Sequence, residues 1–147
     1  MANREPTIDD LFIRCAQFTE KMKEYMGGKN FSEKFATAML NATDPDAQFK
    51  ADVAVKISYV MNIMEMLVGY VNKPITKEGL LQRKLDGNVM LDDTPIPEGA
   101  LVEYWKDNKW NLGKIIQDKQ TKQPQIIDPV SKKVSIPKIE QLKARTR

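Results

Sequence analysis

The chain has 147 residues, 23 Lys/Arg against 20 Asp/Glu for a formal net charge of +3, with 41% hydrophobic and 29% charged residues. That suits one domain or two small ones of ordinary globular composition. Histidine is missing altogether, which removes Ser-His-Asp and Cys-His catalysis, the common zinc sites and imidazole proton transfer. Cys15 is the only cysteine, so no internal disulfide forms, and its place on a helical core position reads as a small buried hydrophobe.

Residues 1–15 carry Glu5, Asp9 and Asp10 without an apolar core, so no signal peptide is expected. The most apolar window, Val60 to Val71, is broken by Asn62 and Glu65 and is too short for a membrane span. The expected location is the cytoplasm. The charge is uneven: residues 1–100 hold 12 Lys/Arg and 15 Asp/Glu, a balance of −3, and residues 101–147 hold 11 and 5, a balance of +6. A basic third on an acidic body suits an anionic partner or a solvated surface.

In chain order, Thr7 with Asp10 three residues on reads as a capped helix start. Ile8, Leu11, Phe12, Cys15, Phe18, Met22, Tyr25 and Met26 follow at helical spacing until Gly27-Gly28. Ser32 caps a second, shorter helix with Phe35, Ala36, Met39 and Leu40. Asp44 then caps a long helix from Pro45 to Asn72, with Pro45 in its first turn. Val53, Ile57, Val60, Met64, Leu67 and Val71 form a seam with steps of four and three. Tyr59, Ile63, Met66 and Tyr70 add a second stripe in the later half. The methionines Met22, Met26, Met39, Met61, Met64 and Met66 read as core filler. The long helix, 45–72, is also a candidate homodimer contact.

After Pro74 the period changes. Leu81, Arg83 and Leu85 alternate, Asp86-Gly87 follows, and Val89 and Leu91 alternate again, a strong hairpin signal. Asp92 to Gly99, with Pro95 and Pro97, reads as a loop. Leu101, Glu103 and Trp105 oppose Val102 and Tyr104 on a third strand. Asp107-Asn108 is a tight turn, and Trp110, Leu112 and Ile116 lie on a fourth strand, where Gly113 marks a bend or bulge. Gln125 to Ile127 and Lys133 to Ile136 are short strands, and Pro137 to Leu142 reads as a turn of helix. The expected fold is α+β: a three-helix module over residues 1–74, then a small antiparallel SH3-like β-barrel of five or six strands over residues 75–147.

Gly79-Leu80, Asp86-Gly87-Asn88, Glu98-Gly99 with Val102-Glu103-Tyr104, Asn108-Lys109-Trp110, Gly113-Lys114-Ile115 and Leu142-Lys143-Ala144-Arg145 together resemble an uncharacterised small SH3-like barrel domain. That domain occurs in proteins of Gram-positive mobile elements and prophages. The resemblance covers residues 79 to 146 and implies a fold and a genomic neighbourhood, with no activity to carry over.

The functional candidates cluster in the basic third: Tyr104, Lys106, Lys109, Trp110, Lys114, Lys132, Lys133, Lys143 and Arg145. Small barrels hold single-stranded nucleic acid by stacking bases on aromatics within a basic groove. If Trp105 faces inward with Leu101, Tyr104 and Lys106 face outward. The expected function is therefore non-catalytic binding of nucleic acid by a protein of a phage or mobile element. The alternative is a stoichiometric inhibitor of a host protein, of the anti-defence or anti-CRISPR type, acting by protein–protein contact. A metal-dependent hydrolase would need the pairs Asp9/Asp10, Asp44/Asp46 or Asp92/Asp93 to hold Mg²⁺, and each is better explained as a helix start or turn. No cofactor and no catalytic set is expected.

Overall fold

The computed structural model describes residues 4–25, 40–41 and 43–147. The chain divides into two compact units, Met1–Asn72 and Lys73–Arg147. The expected Gly27-Gly28 stop and most of the Ser32–Leu40 helix, with Met26 and Met39, lie outside the described residues.

In the first unit, helix α1 runs from Ile8 to Tyr25 and helix α2 from Pro45 to Val71. Thr7 and Asp10 close a reciprocal cap: Asp10 N–H donates to Thr7 Oγ1 at 3.2 Å and Thr7 N–H to Asp10 Oδ2 at 2.9 Å. Asp44 caps α2 by accepting from Ala47 N–H at 2.9 Å. Both caps satisfy amides that the first helical turn leaves open. Lys23 pairs with Glu65, and one shallow pocket takes in Ala16 and Thr19 together with Val68 and Asn72. The two helices therefore run antiparallel. The residues that α2 buries include Ser58, Met61 and Val68, and α1 buries Thr19. The expected seam is thus displaced: Val53, Ile57 and Val60 are exposed. The buried stripe instead sets the short side chains Thr19 and Ser58 beside Met61 and Val68.

The second unit holds eight strands: β1 Lys77–Arg83, β2 Val89–Leu91, β3 Thr94–Ile96, β4 Leu101–Lys106, β5 Lys109–Gln117, β6 Pro124–Ile127, β7 Val134–Ile136 and β8 Lys143–Thr146. They form one antiparallel sheet in the order β3-β2-β1-β8-β4-β5-β6-β7. The sheet curls about a single core of Leu81, Leu91, Val102, Ile115, Ile126 and Ile139, all almost fully buried, with Tyr104 and Ala144 among them.

The expected three-helix module with a closed SH3-like barrel is corrected here. The described residues give two helices followed by an eight-stranded sheet that does not close. The edges explain the gap. β3 and β7 are three residues each. Pro95 at the middle of β3 has no N–H to offer a further strand, and the β6–β7 ladder shifts register at Ile126/Ile127. A pocket of about 190 Å³ lies between Val89 and Ile96 on one side and Ile115 and Pro124 on the other.

Three further readings change. The Asp92–Gly99 segment contains β3, because the Asp92-Asp93 turn (Asp92 φ 49°) folds it back on β2. The Asp86-Gly87 hairpin has a three-residue tip, Leu85 to Gly87, with Gly87 left-handed at φ 89° and Lys84 N–H bonded to Asn88 O. Pro137–Leu142 is not helical; it places Ile139 in the core and turns at Gln141 (φ 64°).

β5, β6 and β7 are joined by one turn design used twice. Asp118 Oδ1 accepts from the N–H groups of Gln120 and Thr121, and Asp128 Oδ1 from those of Val130 and Ser131. Lys122 and Lys132 take the same left-handed position, at φ 59° and 64°. The bonds from the Thr121 and Ser131 amides, first, hold each aspartate's carboxyl below the usual range.

Candidate binding face of the sheet

Strand alternation sorts the candidate residues onto two faces. Tyr104 pairs with Ala144 and lies in the core, its ring over Gly113. It is therefore not a surface platform, and the expected facing of β4 is inverted. Gly113 stands in regular register opposite Val102. A Cβ there would fall 2.2 Å from Ile126 Cγ2 and 3.1 Å from Tyr104 Cε1. This glycine serves close packing of the core, not a bulge.

Leu101, Glu103 and Trp105 point to the outer face. Register puts Trp105 opposite Trp110, Glu103 opposite Leu112 and Leu101 opposite Lys114 on β5, with Glu103 opposite Arg145 on β8. The two indoles meet edge to face with centroids 5.2 Å apart and planes at 71°, the geometry that aromatic quadrupoles favour. The Arg145 guanidinium carbon sits 4.2 Å from the Trp110 centroid, and Lys143 Nζ is 5.6 Å and 5.5 Å from the Trp105 and Trp110 centroids. These are cation–π contacts. Trp105 keeps 39% of its surface exposed.

Glu103 anchors the cations. Arg145 Nη2 donates to its Oε1 at 2.9 Å and Arg147 Nε to its Oε2 at 3.1 Å. Burial of Glu103 acts to raise its carboxyl pKa, but the hydrogen bonds from Arg145 and Arg147 outweigh it, and the net shift is downward. Arg147 also donates to the Lys73 carbonyl at 3.1 Å. Arg145 Nε is buried without a hydrogen-bond partner; the Trp110 ring beside the guanidinium gives that cation its compensation. Lys143 pairs with Glu78 at 3.2 Å.

The remaining candidates divide by position. Lys106 and Lys109 face each other across the β4–β5 turn and are exposed. Asn111 Nδ2 donates to both their carbonyls, at 3.1 and 3.0 Å, and so braces the turn. Lys114 is half-buried, opposite Ile127 as well as Leu101. Lys132 and Lys133 are exposed in the β6–β7 turn. The structure thus brings together Lys106, Lys109, Trp110, Lys143 and Arg145 around one end of β4–β5. It adds three residues the candidate set lacked: Trp105, Glu103 and Arg147. Glu103, buried against Arg145 and Arg147, shares its parity with Trp105.

Five of the six aspartates weighed for metal, Asp10, Asp44, Asp46, Asp92 and Asp93, have other partners. Asp92 Oδ1 accepts from Leu80 N–H at 2.9 Å, its carboxylate lying where a Gly79 Cβ would stand, and Asp93 pairs with Lys77 at 2.7 Å. That lysine holds the Asp93 carboxyl below its usual value. Among the described residues no three metal-ligating side chains converge, and no helix is long and apolar enough to cross a membrane. No family model, curated protein or solved structure matches the chain.

Proposed function

We propose that this is a non-catalytic binding protein that holds single-stranded nucleic acid on the outer face of β8-β4-β5. The observation that carries the reading is Trp105: a part-exposed indole on a sheet surface, with Lys143 over its ring and Lys106 and Lys109 at the adjoining hairpin end on the other parity. Trp110 has its ring occupied by Arg145, so Trp105 is the side on which a base stacks. Lys143, beside that ring, then meets a phosphate. The cytoplasm is the setting we take. The resemblance of residues 79–146 to mobile-element and prophage proteins supports a place where such strands are at hand.

A second reading uses the same face. Trp and Arg dominate the energetics of protein–protein contacts, and Glu103 neutralises two of the local cations. A host protein bound stoichiometrically, as by an anti-defence inhibitor, fits those side chains.

Fluorescence anisotropy with labelled single-stranded and duplex DNA and RNA across a salt series separates the two. Nucleic-acid binding predicts micromolar affinity that falls steeply with salt. Trp105→Ala should weaken it by about tenfold or more, as loss of one stacked base implies. Lys143→Ala should flatten the salt slope by about one. Absence of binding at low salt, or binding indifferent to Trp105→Ala, would turn the assignment to a protein partner.

A further inference from the structure

The helical unit carries an apolar face that its two described helices do not use between themselves. The contact stripe between them passes through Ala16, Thr19 and Lys23 on α1 and Ser58, Met61, Glu65 and Val68 on α2. On each helix a set of large apolar side chains sits one residue earlier than that stripe, Leu11, Phe18 and Tyr25 on α1 and Val53, Ile57 and Val60 on α2, while Ile13, Val55 and Tyr59 lie on the following side. One residue is about 100° around an α-helix. In an antiparallel pair the two helices are viewed from opposite ends, so the same backward step turns both sets towards the same side. The two seams are therefore one surface, two helices wide.

That surface is open. All six of these side chains are exposed, from 39% for Val53 to 78% for Tyr25. With Ile8, their free area is on the order of 800 Å², the amount one partner gives up in a stable protein–protein contact. None of the positions is charged. Monomeric proteins rarely leave an apolar patch of that size in water.

We propose that a second copy of this chain covers it, two antiparallel helices from each protomer completing a four-helix bundle about a two-fold axis. A two-helix hairpin with paired seams is half of such a bundle. A two-fold contact needs only one patch, because each copy presents the same one. The area fits a dimer without contribution from another surface. The expected dimer through α2 alone is thereby widened to a contact that α1 shares. It is independent of the binding face on the sheet.

Sedimentation equilibrium of the full chain across the micromolar range tests this. The native chain should have twice the monomer mass. The double variant Ile57→Glu/Val60→Glu should raise the dissociation constant by about a hundredfold or more, since it buries charge in an apolar contact. Its far-UV helical signal should be unchanged. Leu85→Glu, which alters a fully exposed leucine at the β1–β2 hairpin tip, should leave the dimer intact. A benzophenone side chain in place of Phe18 should, on irradiation, give a covalent species of twice the chain mass even if the double variant misfolds. A monomeric native chain, a dimer that survives Ile57→Glu/Val60→Glu, or crosslinks within one chain only would overturn the proposal.

Discussion

Removing the Glu103 carboxylate would take away the anion that Arg145 and Arg147 share, with each guanidinium largely out of water. Glu103→Gln should therefore destabilise the sheet by about 2–4 kcal/mol, as expected when one partner of a desolvated ion pair is lost. Urea denaturation monitored by tryptophan fluorescence measures it. The pH dependence has a definite sign. The folded-state pKa lies below the reference value of 4.5. The stabilisation is therefore complete above about pH 4.5 and is lost as pH falls through the folded value. Thermal melts between neutral and acid pH should show that loss in the native chain, and a smaller one in Glu103→Gln. This is also the scale at which the sequence misled. Val102-Glu103-Tyr104-Trp105 offers an aromatic on either parity, so hydrophobicity alone cannot orient the strand. Glu103 breaks the tie, but only once its two arginine partners, more than forty residues on, are known to be beside it. Gly113 was visible as a special position. That it makes room for Tyr104 and Ile126 depends on β6, which no local pattern reveals.

At the scale of the element, local chemistry was the reliable guide. Asp44-Pro45 starts α2, Thr7 and Asp10 start α1, and Asp107-Asn108 turns the β4–β5 hairpin with φ of 54° and 59°. Both central residues of that turn are left-handed, the arrangement whose twist suits a two-residue hairpin. Glycine adopts it without strain, so Asn108→Gly should hold or raise the melting temperature. Asn108→Val should lower stability by about 1–2 kcal/mol, the cost of a β-branched residue in that region. Differential scanning calorimetry of the two variants distinguishes a turn that sets the register from one that merely follows it. The α2 seam was misread for a different reason. Ala54, Ser58 and Met61 carry less hydrophobic signal than Val53, Ile57 and Val60. Yet α2 buries Ser58, Met61 and Val68, so the louder stripe lies outside. β3 escaped notice because Pro95 and Pro97 argue against a strand, and an edge strand is the place that tolerates proline.

At the scale of the molecule, strand order could not be read from spacing. The hairpins β1–β2, β2–β3, β4–β5, β5–β6 and β6–β7 are all sequence neighbours. Only β8 joins the two sets, pairing with Lys77–Leu80 of β1 on one side and with Glu103 and Tyr104 of β4 on the other. Deleting residues 143–147 should therefore do more than fray an edge. It should separate the β1–β3 and β4–β7 groups and abolish the cooperative unfolding transition of the sheet. Loss of slow amide exchange in both groups would show it, whereas protection kept in β4–β6 would mean that the strand is dispensable to them.

The same placement bears on how the protein is made. β1 begins at Lys77 and β8 at Lys143, so at a ribosomal rate of about 5–20 residues per second β1 waits roughly 3–13 seconds for its neighbour. Through that interval the nascent chain shows two unpaired strand margins, one on each half-sheet, and both are competent to join another chain instead. The half-sheets are thus most vulnerable on a stalled or slowly read message, and it is there that a chaperone shielding open strands has its opportunity.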